Sequence, residues 1–158
     1  MKRFINFDLF LPSMNGKKYN NSDEFGKTEN EEENEEEIPH DNSENKEKSD
    51  ILERTGKEYF NSGEEEFLKE RYNSSVVLYF KALTSFVDLF LLKETGESPS
   101  SHTDRFRKTK ENFPEVYDIL DKDFPFYQSS YISLMSKELA EVIKDDAKTM
   151  AEKSEVKL

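Results

Sequence analysis

The chain has no cysteine and no tryptophan, and its 158 residues include only two histidines, five glycines and five prolines. The absence of cysteine excludes disulfide scaffolds, Cys-ligated zinc, iron–sulfur clusters and thiol nucleophiles. With His40 and His102 as the whole imidazole supply, Ser–His catalysis and multi-histidine metal chemistry are poorly provided for. Apolar residues are scarce too, at 34% against 37% charged, with a mean hydropathy of -0.93, so part of the chain cannot bury enough surface to offset its conformational entropy. Lys and Arg number 23 against 35 Asp and Glu, and the net charge of -12 argues against a whole-protein, non-specific coat for nucleic acid. No G-x-x-x-x-G-K, G-x-G-x-x-G, H-E-x-x-H or G-x-S-x-G occurs, so nucleotide, dinucleotide, zinc-protease and α/β-hydrolase chemistry have no sequence support. No cofactor or metal is expected, because Glu141, Asp145 and Asp146 are the acidity a charged helix face carries by composition.

The acidity is local. Between Ser22 and Asp50 there are 13 acidic residues against Lys27, Lys46 and Lys48, a net of -10, while residues 1–21 carry +3 and residues 51–158 carry -5. The triplets Glu31–Glu33 and Glu35–Glu37, with few large apolar neighbours, predict a disordered acidic linker over residues 13–48. The preceding segment, 1–12, has an apolar run from Phe4 to Leu11 behind Lys2 and Arg3. Asp8 interrupts that run, it is too short for a bilayer span, and no small-residue cleavage site follows, so the expectation is a cytoplasmic protein with no membrane partner. A floppy tail or a peptide that docks on a partner or on the body are its alternative readings.

From residue 49 to 158 the apolar positions recur at helical spacing and no useful period-two stretch appears, which predicts an all-α fold, an antiparallel bundle of four to five helices. A first helix is expected over about Asp50–Asn61, with a break at Asn61, Ser62 and Gly63. Ser62 and Glu65 then form a capping box opening a long second helix to about Thr95. That helix is apolar on most faces between Val76 and Leu92, which makes it the central element, and Lys81 and Asp88 within it argue against a membrane span. Gly96 ends it. Ser101 with Asp104 opens a short helix through Lys110, and Pro114 opens another to about Asp121, with a break at Phe124-Pro125-Phe126. A last helix is expected from about Ser133 to Lys153. Gly56-Lys-Glu-Tyr-Phe and Tyr79-Phe-Lys-Ala-Leu are similar to one tetratricopeptide helix pair, the basis of an adaptor alternative.

The stretch Tyr72-Asn-Ser-Ser-Val-Val-Leu-Tyr-Phe-Lys-Ala-Leu through Gly96, followed by Ser98-Pro-Ser-Ser-His-Thr-Asp-Arg-Phe, resembles the HEPN helical domains of archaea and bacteria over about residues 51–153. The resemblance implies a four- or five-helix bundle that dimerises. It implies one of two roles within toxin–antitoxin-type systems, an RNA-cleaving toxin or a non-catalytic partner of a small nucleotidyltransferase. The ribonucleases of that family carry an arginine, four to six residues, then a histidine on a late helix. No Arg precedes His40 or His102 at that distance, and from Ser133 onward there is neither Arg nor His. The resemblance therefore points to a non-cleaving homodimer that binds a protein such as a nucleotidyltransferase, or RNA. The enzyme alternative is a divergent, metal-independent ribonuclease built on His102 with Arg105 or Arg107.

The candidate binding residues are Lys81, Asp88, His102, Arg105, Arg107, Lys108 and Tyr131. Arg105-Phe-Arg-Lys-Thr-Lys places four cations in six residues beside Phe106, which suits RNA phosphates and base stacking; its bland counterpart is a solvated helix face with Phe106 packed inward. Lys81 and Asp88, seven residues apart, share a face of the most apolar helix; a groove or a dimer interface is one reading of that face and a solvent-exposed stripe the other. His102 at a helix start has capping as its alternative, and Tyr127 with Tyr131 has core packing. An acidic linker that shields the basic stretch is a further expectation.

Overall fold

The computed structural model describes residues 42–158. Residues 1–12 and the part of the acidic linker up to residue 41 lie outside the described residues, and with them the expectations of disorder, docking and shielding made there. Among the described residues there are five helices and no strand: α1 Asn42–Leu68, α2 Tyr72–Thr95, α3 His102–Asn112, α4 Pro114–Ser129 and α5 Lys137–Lys153. The fold is an all-α bundle. Helix α1 begins inside the stretch expected to be linker, so residues 42–48 are helical, with Lys48 bonded to Glu44 at 2.6 Å.

Helix α2 is the centre. Val76, Tyr79, Phe80, Leu83, Phe86, Val87, Leu89 and Leu91 are all at most 1% exposed, and α1, α4 and α5 pack around them. By length and composition α2 is apolar enough to cross a membrane, yet it is the core of this bundle, and most of its apolar surface is already covered by protein.

The expected break at Asn61–Gly63 does not occur, and α1 runs through both Gly56 and Gly63. Those glycines are there for proximity rather than for a turn. A Cβ on Gly63 would sit 2.8 Å from the Tyr79 ring, and one on Gly56 would clash with the edge of the Phe86 ring, so α1 and α2 approach closely only because both positions lack a side chain. Ser75 Oγ, buried in the same seam, donates to Gly63 O at 2.8 Å. The turn comes later, at Lys69–Arg71. There the Arg71 N–H bonds Glu66 O and the Glu70 N–H bonds Phe67 O, both at 2.9 Å, around Glu70 with φ 59°. This is a Schellman ending with glutamate where glycine usually sits, so its signal is absent from the sequence.

The other ends follow the expectations more closely. Gly96, φ 76°, caps α2, and Ser101 accepts from the Asp104 N–H at 3.1 Å at the start of α3. Helix α4 passes the expected break at Pro125. Its last turns are held by rings on three elements: Tyr127 stacks on Phe80 at 4.6 Å and Phe124 meets Phe106 at 5.4 Å. That packing outweighs the hydrogen bond a helix-interior proline forfeits. Helix α5 starts at Lys137 rather than Ser133, capped by Ser136, and residues 130–135 form a turn instead.

Candidate functional site

Helix α2 presents Lys81, Thr84, Ser85 and Asp88 toward the start of α3. Asp88, the charge inside the most apolar helix, is 9% exposed, and its partner is not Lys81. Arg105 from α3 reaches it as a fork, Nε to Oδ1 and Nη2 to Oδ2, both at 2.6 Å. Both carboxylate oxygens and two faces of the guanidinium are thereby satisfied in a buried place, the arrangement that makes a buried ion pair tolerable. The third nitrogen, Arg105 Nη1, lies 2.9 Å from His102 Nδ1. A guanidinium has only donors, so Nδ1 accepts, and the proton of the neutral ring sits on Nε2. Burial first and the adjacent Arg105 charge second hold His102 below the ordinary imidazole range, against a smaller opposing pull from Asp88, and the ring is neutral at pH 7.

His102 and Arg105 line a groove of about 220 Å³ with Tyr59, Phe80, Lys81, Thr84, Ser85 and Tyr127. Lys81 stands at its edge, exposed, with its Nζ 5.3 Å over the Tyr59 ring and no carboxylate partner among the described residues. Thr84 and Ser85 both donate to Lys81 O at 3.0 Å and so turn oxygen lone pairs outward. Among the described residues no acidic side chain lines this groove. It offers an ammonium, a ring N–H and hydroxyls, a set that fits an oxygen-bearing, electron-rich group of a partner.

The expected basic stretch is divided. Arg105 turns inward. Arg107 lies outside between Asp104 at 2.7 Å and Glu111 at 2.9 Å, Lys108 bonds Glu97 at 2.8 Å, and Lys110 sits 5.4 Å over the Tyr117 ring. Phe106 packs inward against Tyr117 and Phe124.

Tyr131 belongs to a different surface, joined to the first by a hydroxyl pair. Its O–H donates to the Tyr127 oxygen at 2.8 Å. Tyr131 opens the turn between α4 and α5, whose second half, from Ser133, was expected to be helix. Asn73 fastens that turn: its Nδ2 donates to Ser130 O at 2.7 Å and Ser133 O at 2.6 Å, and its Oδ1 accepts from the Met135 N–H at 2.9 Å. The fastened turn displays Ile132 and Leu134 at 87% and 95% exposure, beside a groove of about 370 Å³ lined by Asn73, Ser74, Val77, Leu78, Ser130 and Tyr131. Asn73 and Ile132 escaped notice because the signal is a tertiary hydrogen-bond set. An Ile and a Leu two residues apart among serines were the only local hint.

Among the described residues no group of three or more His, Asp or Glu side chains could hold a metal. No family model matches the chain, and neither a curated protein nor a solved structure matches it.

Proposed function

We propose that the chain is a non-catalytic, cytoplasmic helical binding module of HEPN type. In this reading it engages a protein partner through the surface that runs from the Lys81 groove over Tyr127 and Tyr131 to Ile132 and Leu134. The observation that carries the proposal is the fastened turn. Ordering a segment costs about 1–2 kcal/mol per residue in backbone entropy, and here that cost goes to holding two large apolar side chains in water. Apolar surface displayed in this way is suited to a protein contact. The partner is a second copy of the chain or, following the HEPN resemblance, a nucleotidyltransferase.

Two features favour binding over RNA cleavage. In the bracket around Arg105 the Nδ1 lone pair of His102 is occupied and Nε2 carries the ring proton, so the ring has no free lone pair with which to act as a base. Arg107 and Lys108 are each engaged by carboxylates, which reduces what they can offer a phosphate backbone. The test is affinity recovery from the protein's own cells with tagged wild type beside Ile132→Ser/Leu134→Ser, with and without ribonuclease. A protein recovered at stoichiometric level by wild type, lost with the double variant and indifferent to ribonuclease is the expected result. Equal recovery by both baits removes the turn from the proposal, and recovery of RNA alone removes the protein partner.

A further inference from the structure

Helices α4 and α5 meet at another buried carboxylate, Asp123. It follows Val116 and Leu120 along the inward stripe of α4 and is fully buried, and neither of its carboxyl oxygens accepts a hydrogen bond. Facing it from α5 is Asp146, near enough for the two carboxyls to hydrogen-bond. Among the described residues the only cation at the pair is Lys122, whose Nζ lies 2.5 Å from Asp146 Oδ2 and 3.9 Å from Asp123 Oδ1. The ammonium is thus engaged by Asp146, while the two Asp123 oxygens find no donor among the described residues. Helices α2 and α3 pack on α4 as well, yet the charges that act on Asp123 are those of Asp146 and Lys122.

Two carboxylates and one ammonium leave one negative charge in excess at a site where Asp123 has no contact with water. A carboxylic acid whose O–H finds an acceptor is far less costly there than a carboxylate without a donor, and the facing carboxyl supplies the acceptor. We propose that Asp123 and Asp146 share one proton at neutral pH, with Asp123 the acid that donates to Asp146, and that this proton latches the C-terminal half of α4 to α5. Its loss in mild alkali sets two carboxylates against each other and loosens the seam. Burial first and the Asp146 charge second raise Asp123 to about 8, against the opposing pull of Lys122.

The pH dependence follows from proton counting. The unfolded chain releases this proton near the ordinary aspartate value of 3.8, whereas the folded chain keeps it to about 8. Over that window the folded state binds more protons, so stability falls as pH rises, by up to about tenfold in the folding equilibrium per pH unit, and levels off above the folded value.

The experiment is urea unfolding of the full chain from pH 5 to 9, wild type beside Asp123→Asn, together with a carboxyl-carbon NMR titration of wild type. The expected result has three parts. Two aspartate carbons titrate together with one far above the usual range, amide signals of residues 120–129 move with the same midpoint, and Asp123→Asn flattens the alkaline fall in stability. Two aspartates titrating separately in the ordinary acid range, or an unchanged slope in Asp123→Asn, overturns the proposal. A rise in the wild-type midpoint on adding magnesium, calcium or manganese chloride, absent in Asp123→Asn, also overturns it and makes the seam a cation site. Should Asp123→Asn fail to fold, the wild-type NMR titration decides alone.

Discussion

Asp88 on α2 and Asp123 on α4 are both buried aspartates on inward helix faces, but only Asp88 has a guanidinium. Arg105 reaches it from another helix with two bonds of 2.6 Å, so the charge stays and α3 is fixed to α2. Asp123 has a second aspartate across the seam and one lysine, nearer to its neighbour than to itself. The pair of sites teaches that burial alone does not decide whether a carboxyl is ionised; the donors that tertiary structure brings to it do. One site is held by charge and the other by a proton, and each should respond in the opposite way when its partner is removed.

The largest effect is expected at the charge-held site. Arg105→Ala leaves Asp88 buried without a donor and costs about 3–5 kcal/mol in urea unfolding, whereas Arg105→Met combined with Asp88→Leu recovers most of that loss. A single substitution as mild as the double one would mean the pair is not buried in solution. Asp123→Asn has the opposite sign: it stabilises by about 2 kcal/mol or more at pH 8 and by little near pH 4. A third carboxylate, Glu64, stands between the extremes. It is half-buried, and although burial raises it, hydrogen bonds from Lys144 at 2.7 Å and Tyr79 at 2.5 Å win and hold it below the usual value. Its contribution is present above the unfolded value of 4.5 and is lost as pH falls through the lowered folded value, so Glu64→Gln costs about 1–2 kcal/mol at pH 7 and progressively less in acid. The smallest effect belongs to His102, whose folded value is lowered from 6.5. Wild type loses stability as pH drops below that figure, because the unfolded chain takes up the proton first. His102→Gln, which keeps an acceptor for Arg105, changes stability at pH 7 by less than about 1 kcal/mol and removes that part of the acid loss.

Much of the fold is readable from local chemistry. Helical spacing yields the all-α bundle and the central α2, and Gly96, Ser101 and Pro114 mark ends through capping that a reader of sequence can see. The misplaced ends all have tertiary causes. Gly63 looks like a break because its role, contact with the Tyr79 ring, is visible only once α1 and α2 are packed. The true turn hides behind a left-handed Glu70, and Pro125 sits in a helix that rings from other elements hold together. The candidate site divides in the same way. Lys81, Asp88, His102 and Arg105 stand out singly by residue type and do converge, but the sequence pairs Lys81 with Asp88, whereas the true partner lies 17 residues further on. Arg107 and Lys108 attract notice as charge and are engaged on the outer face. Asp123 falls in step with Val116 and Leu120, so its place in the stripe was legible, yet in a chain this acidic one more aspartate carries no signal of its own.

The central claim is that the chain binds a protein through a displayed surface while the His102–Arg105 couple serves as a bracket, and the most direct test sets those two roles side by side. Wild type and His102→Ala, each tagged and purified from the protein's own cells, would be assayed together for the protein they retain and for cleavage of the RNA of those cells. The account predicts the same partner with both, at a level that falls modestly at most in His102→Ala, and no RNA trimmed by either. RNA cut at consistent positions by wild type and left whole by His102→Ala would contradict it and make the chain a nuclease.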